Sequence, residues 1–432
     1  MKESFYNYIV KEEGKCYCFN AITRYFFDVP EEKEEALRKM LKYSDRIRDS
    51  LPVFYDKLVA GGFVVPEDTD ELGIIREKYN EACNSKAYNL TILPTVDCNF
   101  RCWYCYENHT PYMISEKTIG NIKKYISNII DHGEAESLHI EWFGGEPFLA
   151  FRNVIKPITL FAKKKCEEKN VPFSTGATSN GYLIDKKIAE DLTELNFKVF
   201  QVTLDGEKSH HDKTRVAPDG SSFETILKNM DYVCEINKNI SIVLRINYDD
   251  KNLNPQLIIE QIKALINEKH RERFSFILRK VWQVEKVENG REKVLDFIKI
   301  SRDAKFNYCR GCDLNLDFIS CYAARKNMKL ITPYGSVEKC TTKNNFEEQA
   351  IGHLTEEGTI EWKNNLPFDE IYATPLFETP HCLKCKRLPI CMGVCPKCID
   401  TDGTIGKAGQ CKGKVNDLAL TDAILNYCTS FP

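Results

Sequence analysis

The chain has 432 residues, which is too long for one ordinary core and predicts two or three domains. Its 60 lysines and arginines nearly balance 63 aspartates and glutamates, and the net charge of −3 argues against a nucleic-acid partner. The apolar runs are short and the first residues are charged, so we expect no membrane span, no signal peptide and a cytoplasmic location. In such a chain, 19 cysteines favour metal ligation over disulfides.

The N-terminal segment predicts a small domain of mixed structure. Residues 5–28 contain three short runs rich in aromatic and β-branched residues, which are typical of strands. A helix is predicted after Pro30 and a second one around 51–60, where a Gly-Gly pair ends it, and one more short strand follows. We therefore predict a winged-helix-like domain over residues 1–69 and a charged linker helix over 70–87.

From residue 88 onward, strands and helices alternate along the chain. The predicted strands are 89–96, 137–143, 173–178, 199–204, 240–247 and 274–280, and the predicted helices are 115–131, 151–168, 185–195, 222–236 and 255–268. This alternation predicts an α/β domain with a parallel sheet over 88–304. Beyond it the alternation ends and cysteines become frequent, which predicts a third domain, 305–432, stabilised by metal more than by apolar packing and closed by a C-terminal helix.

Cys98, Cys102 and Cys105 stand in the segment VDCNFRCWYCYE, directly after the first strand of the predicted α/β domain. Each thiolate can bind one iron of a four-iron cluster, so three thiolates leave one iron open to a small molecule. Zinc usually takes four ligands in close pairs, and no second pair lies nearby. Ordinary buried thiols are the other alternative. The loop should lie at the carboxyl edge of the sheet, where α/β folds place their active sites.

This CxxxCxxC spacing resembles that of the radical S-adenosylmethionine (SAM) enzymes, and the resemblance extends over most of the chain. It implies a partial (β/α)6 TIM-like barrel and a catalytic [4Fe–4S] cluster bound by the three cysteines. It also implies that SAM chelates the open iron and is cleaved reductively to a 5′-deoxyadenosyl radical, which abstracts a substrate hydrogen. The chain would then be a radical SAM oxidoreductase.

A GGEP segment follows the second predicted strand, SLHIEWF, and resembles the loop that meets the SAM amino group in that family. Its glycines permit close backbone approach and its glutamate offers a carboxylate to an ammonium group; the four residues are Gly144, Gly145, Glu146 and Pro147. In ISIVLRIN the apolar residues alternate, which places Arg245 on the opposite face. We expect Arg245 to point into the barrel lumen beside SAM or substrate, because arginine is rarely buried without a partner.

Five further positions match SAM-binding segments of the family. The resemblance implies that Tyr104 packs near adenine and that Ser179, Asn180 and Asp205 lie around the ribose. Arg215 matches an arginine that pairs with the SAM carboxylate, a task suited to a guanidinium group. The simpler alternatives are loop packing for the tyrosine, strand-end turns for the small polar residues and a solvated salt bridge for the arginine.

The C-terminal cysteines resemble the SPASM extension of radical SAM enzymes, which carries two auxiliary [4Fe–4S] clusters, for three clusters in all. The resemblance assigns one auxiliary cluster to Cys382, Cys385, Cys391 and Cys411. It assigns the other to Cys321, Cys340 and Cys395, with a fourth position that is taken by Cys312 or Cys309 or left open. A zinc ribbon is the alternative. Cys398 is predicted to be free, and ordinary buried thiols are predicted for Cys16, Cys18, Cys83, Cys166, Cys234 and Cys428.

Two subfamilies of SPASM enzymes fit these motifs: anaerobic sulfatase maturases, which form formylglycine, and peptide maturases. Residues 1–87 precede the predicted barrel, whereas sulfatase maturases begin almost directly at theirs. Sulfatase maturases also have an aspartate base after the cysteine that matches Cys340, and Thr341 and Thr342 stand here. The front domain resembles the leader-recognition domain of peptide maturases, which binds an extended leader at a sheet edge, here residues 23–28. A structural cap on the barrel is the alternative.

The sequence therefore predicts a peptide maturase that acts on a ribosomally made precursor peptide recognised through its leader. A thioether is the favoured product, and epimerisation or a carbon–carbon link are alternatives. A non-catalytic iron–sulfur scaffold or electron-transfer protein is the alternative from another class. The expected partners are the precursor peptide and a reductant such as flavodoxin or ferredoxin.

Overall fold

The computed structural model describes residues 1–132, 135–309, 313–342, 347–348, 350–405 and 417–430. Its N-terminal unit contains, in chain order, β1 Lys2–Glu3, β2 Asn7–Glu12, β3 Lys15–Asn20, β4 Phe26–Pro30, α1 Glu34–Lys42, α2 Pro52–Ala60, β5 Val64–Val65 and α3 Glu71–Cys83. Strands β2, β3 and β4 form an antiparallel sheet, and β5 pairs with β1. The predicted strands and helices of this unit are confirmed, while its likeness to a winged helix stays a prediction.

The central α/β unit follows the predicted alternation closely. Its elements are β6 Ala87–Ile92, α4 Glu116–Asp131, β7 Ser137–Trp142, α5 Lys156–Glu168, β8 Phe173–Ser179, α6 Lys186–Glu194, β9 Phe197–Leu204, α7 Lys208–Thr214, α8 Ser222–Ile236, β10 Ser241–Tyr248, α9 Pro255–Leu265, β11 Phe274–Lys280 and α10 Gly290–Asp303. Strands β6 to β11 pair with one another in chain order, all parallel. The predicted α/β fold with its parallel sheet is therefore confirmed.

Polar caps start several of these helices at the positions where the strands have ended. The side chains of Ser115, Asp185 and Ser221 accept hydrogen bonds from the backbone N–H groups three residues later, at 3.1, 2.8 and 3.2 Å. Each cap satisfies one of the N–H groups that a helix start leaves without a partner.

In the described part of the chain, no helix is long and apolar enough to cross a bilayer.

The C-terminal region continues the central sheet, which the sequence did not predict. Its elements are β12 Asn307–Tyr308, β13 Met328–Ile331, β14 Ser336–Glu338, β15 Gly352–Leu354, β16 Ile360–Trp362, α11 Phe368–Tyr372, α12 Pro380–Leu383, α13 Leu388–Cys391 and α14 Leu420–Cys428. Strand β12 extends the sheet beyond β11, and β13 pairs in parallel with β6 at the opposite edge. These strands are two to four residues long, so no clear alternation marks them in the sequence.

The side chains of β10 alternate between the apolar core and the opposite face of the sheet, as the sequence predicts. The side chains of Ile242, Leu244 and Ile246 are fully buried in the main apolar core, which lies between the sheet and its helices. Arg245 is on the other face and lines the cavities described below. Each apolar side chain removed from water in this way contributes about 1.5–3 kcal/mol.

The N-terminal unit is docked firmly on the C-terminal region. Its Tyr6 and Phe19 belong to the same buried apolar cluster as Leu388 and Ile424 of the C-terminal region. Arg24 Nη2 donates to the carbonyl oxygens of Asn315 and Pro389 at 2.6 and 2.8 Å. Deletion of the N-terminal unit would therefore expose this shared core, so point variants test its function better than truncation does.

Because of the position of Arg24, the edge strand begins later in the chain than predicted. Its backbone is left-handed, with φ of 64°, and its guanidinium group lies 4.5 Å from the centre of the Phe318 ring. Residues 23–25 are thus part of a turn that is anchored on the C-terminal region. The edge strand β4 begins at Phe26, so the predicted edge 23–28 overlaps it only in part.

Candidate active site

The loop after β6 brings the three predicted cluster cysteines together. Cys98, Cys102 and Cys105 all line one cavity of about 190 Å³. The loop is shaped by short-range hydrogen bonds, since the Phe100 N–H donates to Cys98 Sγ at 3.4 Å and the Cys105 N–H donates to the Cys102 carbonyl at 3.0 Å. Burial raises the pKa of Cys98 to about 12, so metal ligation there would release a proton.

The two glycines of GGEP allow their loop to pass directly against the cysteine loop. Gly144 has φ of 122°, and a Cβ atom on it would lie 2.4 Å from the carbonyl oxygen of Thr95. A Cβ atom on Gly145 would lie 2.1 Å from the carbonyl oxygen of Asp97. The glycines thus permit a close approach to the backbone that precedes Cys98, while the predicted approach to a ligand stays a prediction. Both glycines also line the cavity.

The Glu146 carboxylate lies behind the cavity wall, fully buried. Its Oε1 accepts from the Phe148 N–H at 3.0 Å and from the Ser179 hydroxyl at 2.9 Å, and its Oε2 accepts from the Asn180 N–H at 2.7 Å. These donors use three of the roughly four lone-pair positions of a carboxylate. Glu146 thus ties the loop after β7 to the loop after β8. Pro147, the next residue, begins a short 3₁₀ turn.

Ser179 and Asn180 both lie on the cavity wall, as expected for SAM-binding residues. The side-chain amide of Asn180 donates to Asn99 Oδ1 at 2.7 Å and lies 3.9 Å from Cys98 Sγ. A third loop, the cysteine loop itself, is thereby fastened to the end of β8. The polar residues at this strand end therefore connect loops as well as facing the cavity.

Tyr104, Asp205 and Arg215 form one buried network at the floor of the cavity. Arg215 Nε donates to Asp205 Oδ2 at 2.8 Å, and Arg215 Nη2 donates to the Tyr104 hydroxyl at 2.8 Å. The Tyr104 hydroxyl in turn donates to Asp205 Oδ1. Arg215 is only 7% exposed, so the solvated salt bridge considered from the sequence is wrong. Tyr104 and Arg215 face the cavity, with Asp205 behind them.

A second, larger cavity of about 1060 Å³ adjoins the first. The two share wall residues, namely Tyr106, Phe143, Thr178, Arg245 and Trp282. Inward-facing residues of β6 to β10 line the larger cavity, and its far wall is built by Tyr322, Thr341 and Thr342 of the C-terminal region. The predicted orientation of Arg245 is confirmed, and its Nε donates to Asn247 Oδ1 at 2.9 Å.

The family comparisons agree with this arrangement. Residues 92–254 match the model of the Radical SAM superfamily. The chain therefore contains a radical SAM domain. The described residues fit the cofactors that this implies, because three thiols face the cavity together with the GGEP glycines and a buried arginine. In a cubane cluster each cysteine binds a different iron, so the three thiols do not have to meet at one ion. In the described residues, no group of three or more His, Cys, Asp or Glu side chains is placed to hold a single metal ion.

Solved structures resemble this chain in fold. One is anSMEcpe with bound AdoMet and the Cp18Cys peptide, at 18% identity and a TM-score of 0.56, with 80% of this chain and 97% of that chain covered. Another is Streptococcus suis SuiB bound to precursor peptide SuiA, at 15% identity and a TM-score of 0.48, with 95% and 99% covered. At 18% identity, the likeness to anSMEcpe shows a shared fold alone. The likeness to SuiB, with its TM-score of 0.48, supports no conclusion about this chain. No curated protein matches the chain.

The cavity that the three cysteines line also contains polar residues that the sequence analysis missed. Glu107 and His109 line it just after the third cysteine. Burial raises the pKa of Glu107 to about 7 and lowers that of His109. In the described part of the chain, Glu107 Oε2 and both ring nitrogens of His109 are buried without a hydrogen-bond partner. No spacing rule marks these residues, because they follow the cysteines in an irregular loop.

Glu141, on the wall of the larger cavity, was also missed, although the sequence carried a signal for it. In SLHIEWF the residues Leu138, Ile140 and Trp142 are buried, so period-two alternation places Glu141 on the lumen face. Its Oε1 accepts from the Thr178 hydroxyl at 3.0 Å. A Cβ atom on Gly176 of the neighbouring strand would lie 2.8 Å from Glu141 Oε2, so this glycine leaves room for the carboxylate.

The C-terminal cysteines fall into two groups. Cys321 and Cys398 pack on the apolar cluster that contains the buried Tyr372, and the Cys398 N–H donates to the Cys395 carbonyl at 3.3 Å. In the second group, the Cys385 N–H donates to the Cys382 carbonyl at 3.0 Å, and Cys391 ends the next short helix, α13. Cys312 and Cys411 lie outside the described residues. The six predicted structural thiols are all buried, which confirms that prediction: Cys16, Cys18, Cys83, Cys166, Cys234 and Cys428.

Replacement of Cys98, Cys102 and Cys105 by alanine together should remove about four irons per chain and abolish reductive SAM cleavage, because the open-iron cluster loses its ligands. Iron content and 5′-deoxyadenosine formation measure both effects in anaerobically reconstituted protein. Cys166→Ala, which removes a buried thiol from α5, is the control and should change neither. Full SAM cleavage by the triple variant would contradict the assignment.

Glu146→Gln should weaken SAM binding and lower the free energy of unfolding by about 1–3 kcal/mol, since an amide group would face at least one N–H or O–H donor in a buried site. Equilibrium unfolding and SAM titration measure the two effects. Glu168→Gln on the exposed end of α5 is the matched control. Equal stability of the two variants would show that the three hydrogen bonds contribute nothing.

Proposed function

We propose that this radical SAM enzyme modifies a ribosomally made precursor peptide and that a thioether cross-link is its favoured product. The observation that supports this most is the larger cavity, which adjoins the cysteine cavity and extends to Tyr322 and Thr341, the chain neighbours of Cys321 and Cys340. Its volume of about 1060 Å³ exceeds the usual range of about 300–1,000 Å³ for small-molecule sites. A segment of peptide is therefore a suitable occupant.

The walls of this cavity suit a polar peptide. Glu141 and Arg245 place opposite charges on different strands of its lining. The Nδ1 of His139 is 2.8 Å from the Ser174 hydroxyl, and its Nε2 is 3.6 Å from Glu141 Oε2. Such groups can bind backbone amides and polar side chains of the core peptide and orient one C–H bond toward the cysteine cavity. Exposed Trp282 stands where the two cavities meet.

In the proposed reaction, the bound cluster and SAM supply a 5′-deoxyadenosyl radical that takes one hydrogen atom from a peptide carbon. Formation of a carbon–sulfur bond then requires a proton to leave the substrate thiol and one electron to leave the product. Glu141 is the carboxylate on the cavity wall that can accept the proton. Cys321, Cys340 and Cys395 would hold an auxiliary iron–sulfur cluster that could accept this electron, and Thr341, the neighbour of Cys340, lies on the far wall of the cavity.

Two auxiliary clusters are part of the proposal, with the ligand groups that the motifs assign. Cys398 is an additional candidate for the fourth position of the first cluster, because it lies beside Cys395 and its N–H donates to the carbonyl of that residue at 3.3 Å. A reductant such as flavodoxin or ferredoxin would supply the electron that starts each cycle. These electron carriers are consistent with the proposed cytoplasmic location.

The leader would bind along the free edge of β4. Within the described residues β4 pairs with β3 alone, which leaves one row of its backbone groups without a strand partner. The pairs Asn20–Tyr25 and Gly14–Glu31 are hydrogen bonded across the ladder, so by alternation the N–H group of Asp28 points to the free edge. Tyr25, which is 62% exposed, offers an apolar contact at the start of this edge.

Sulfatase maturation is the second candidate function, and the fold likeness to anSMEcpe is the observation that favours it. Thr341 and Thr342, which follow Cys340, line the larger cavity and cannot act as a carboxylate base. Asp317 on the same wall is paired with Arg325 at 3.0 Å. Glu141 is then the carboxylate that this reaction would require.

Asp28→Pro should strongly weaken binding of the leader, because it removes an N–H group from the free edge but not from the ladder with β3. Fluorescence anisotropy with a labelled leader peptide from the neighbouring open reading frame measures the effect. Asp28→Ala is the matched control, since it removes the exposed ion pair with Lys15 but keeps the N–H group. Equal leader affinity of the two variants would contradict strand addition at this edge.

Cys395→Ala should leave SAM cleavage and peptide binding intact and strongly reduce the finished product, because the surplus electron loses its acceptor. Mass spectrometry after thiol alkylation identifies the product: a thioether lacks two hydrogens and one alkylatable thiol per link. The same mass loss with every thiol still alkylatable would rule out a thioether. Solvent deuterium in a peptide of otherwise unchanged composition would indicate epimerisation instead, and formylglycine in a sulfatase peptide would support the second candidate.

A further inference from the structure

The hydroxyl group of Tyr372 is a buried donor without an acceptor. Tyr372 ends helix α11 and is 1% exposed, and in the described residues its hydroxyl makes no hydrogen bond. A hydroxyl that is buried in this way costs about 1–3 kcal/mol. Such a group usually has an acceptor in the working protein.

The surroundings of this hydroxyl indicate what the acceptor is. Burial raises the pKa of Tyr372, and the negative charges of Glu338, Cys340, Cys398 and Cys395 raise it further. The tyrosine ring belongs to a buried apolar cluster on which Cys321 also packs. Cys321 and Cys398 therefore come from separate chain segments to the cluster that holds this tyrosine. The other two predicted ligands of the first auxiliary cluster are adjacent to this region, because the Cys395 carbonyl accepts from the Cys398 N–H at 3.3 Å and Lys339, the neighbour of Cys340, is ion-paired with Asp369 of helix α11.

Helix α11 is held in place independently of any cofactor. Asp369, three residues before Tyr372, forms ion pairs with Lys339 Nζ at 2.7 Å and with Lys329 Nζ at 3.0 Å. Both lysines are almost completely buried, so the helix is fastened to β13 and to the residue that follows β14. Tyr372 is thus positioned by the protein before a ligand arrives.

We propose that Tyr372 donates a hydrogen bond to a sulfur atom of the auxiliary cluster at Cys321, Cys340 and Cys395 and thereby makes that cluster easier to reduce. The inference rests on the auxiliary cluster of the proposed function. Hydrogen bonds to cluster sulfur are among the factors that set its reduction potential. A donor stabilises the reduced cluster more, because reduction adds negative charge. Tyr372 would be a tuning residue that helps the cluster accept an electron from the product.

The test is Tyr372→Phe, which keeps the ring in the apolar cluster and removes only the hydroxyl. Redox titration followed by electron paramagnetic resonance measures each cluster, and the signal that Cys395→Ala eliminates identifies the relevant one. At a fixed potential, the ratio of reduced to oxidised cluster should fall about tenfold, the effect of one hydrogen bond to a charged group. The other clusters and the total iron content should not change.

Tyr79→Phe is the matched control. Tyr79 is also buried, and its hydroxyl donates to the Thr374 carbonyl at 3.1 Å, so the variant loses a buried hydroxyl without altering the cysteine site. The titration of the Cys395-dependent cluster should be the same as in the wild type. An equal change in both variants would mean that general loosening of the region, and not the hydrogen bond, is the cause.

A measurement on the wild-type protein covers the case in which Tyr372→Phe loses the cluster. Exchange into D₂O should shift the iron–sulfur stretching bands of the Cys395-dependent cluster in resonance Raman spectra, because the hydroxyl proton is exchangeable. An unchanged potential in Tyr372→Phe, or no deuterium shift in the wild type, overturns the role of Tyr372. Absence of any Cys395-dependent cluster in the wild type overturns the proposed auxiliary cluster itself, and the two failures are therefore distinguishable.

Discussion

The buried carboxylate of Glu146 is the constraint on which the cysteine cavity depends. An ionised carboxylate in the interior is costly unless donors compensate it, and here three donors from two loops do so. One of these donors is the N–H of Asn180, whose side chain is hydrogen bonded to Asn99 in the cysteine loop. Three loops from three strand ends thus meet around one charge. The cysteines acquire their common orientation from this arrangement.

The buried pair of Arg215 and Asp205 completes the same site from the far side. The pair engages the hydroxyl of Tyr104, which stands one residue before Cys105. Loss of either charge would leave the other buried without compensation. The network therefore fixes the second half of the cysteine loop, as Glu146 and Asn180 fix its first half.

The continuous sheet has a consequence for the proposed chemistry. Strand β13 pairs with β6, the strand that leads into the cysteine loop. Backbone hydrogen bonds therefore join the C-terminal region to the strand that precedes the cysteine loop, and residues of both line the larger cavity. A substrate radical and its electron acceptor would be separated by a distance that the sheet determines. The N-terminal unit is also tied in, because Tyr8 lies close to Cys385 and Lys386 of the second cysteine group.

The sequence by itself determined the features that local spacing controls. The β/α alternation, the CxxxCxxC loop and the lumen-facing position of Arg245 all follow from periods of a few residues, and each was predictable for that reason. The tertiary structure alone decided which residues meet across the fold. The contacts of Tyr104 with Arg215 and of Arg24 with Pro389, and the shared cluster of Tyr372, Cys321 and Cys398, join residues far apart in the chain. No periodicity encodes such contacts, because they arise only when separate elements pack together.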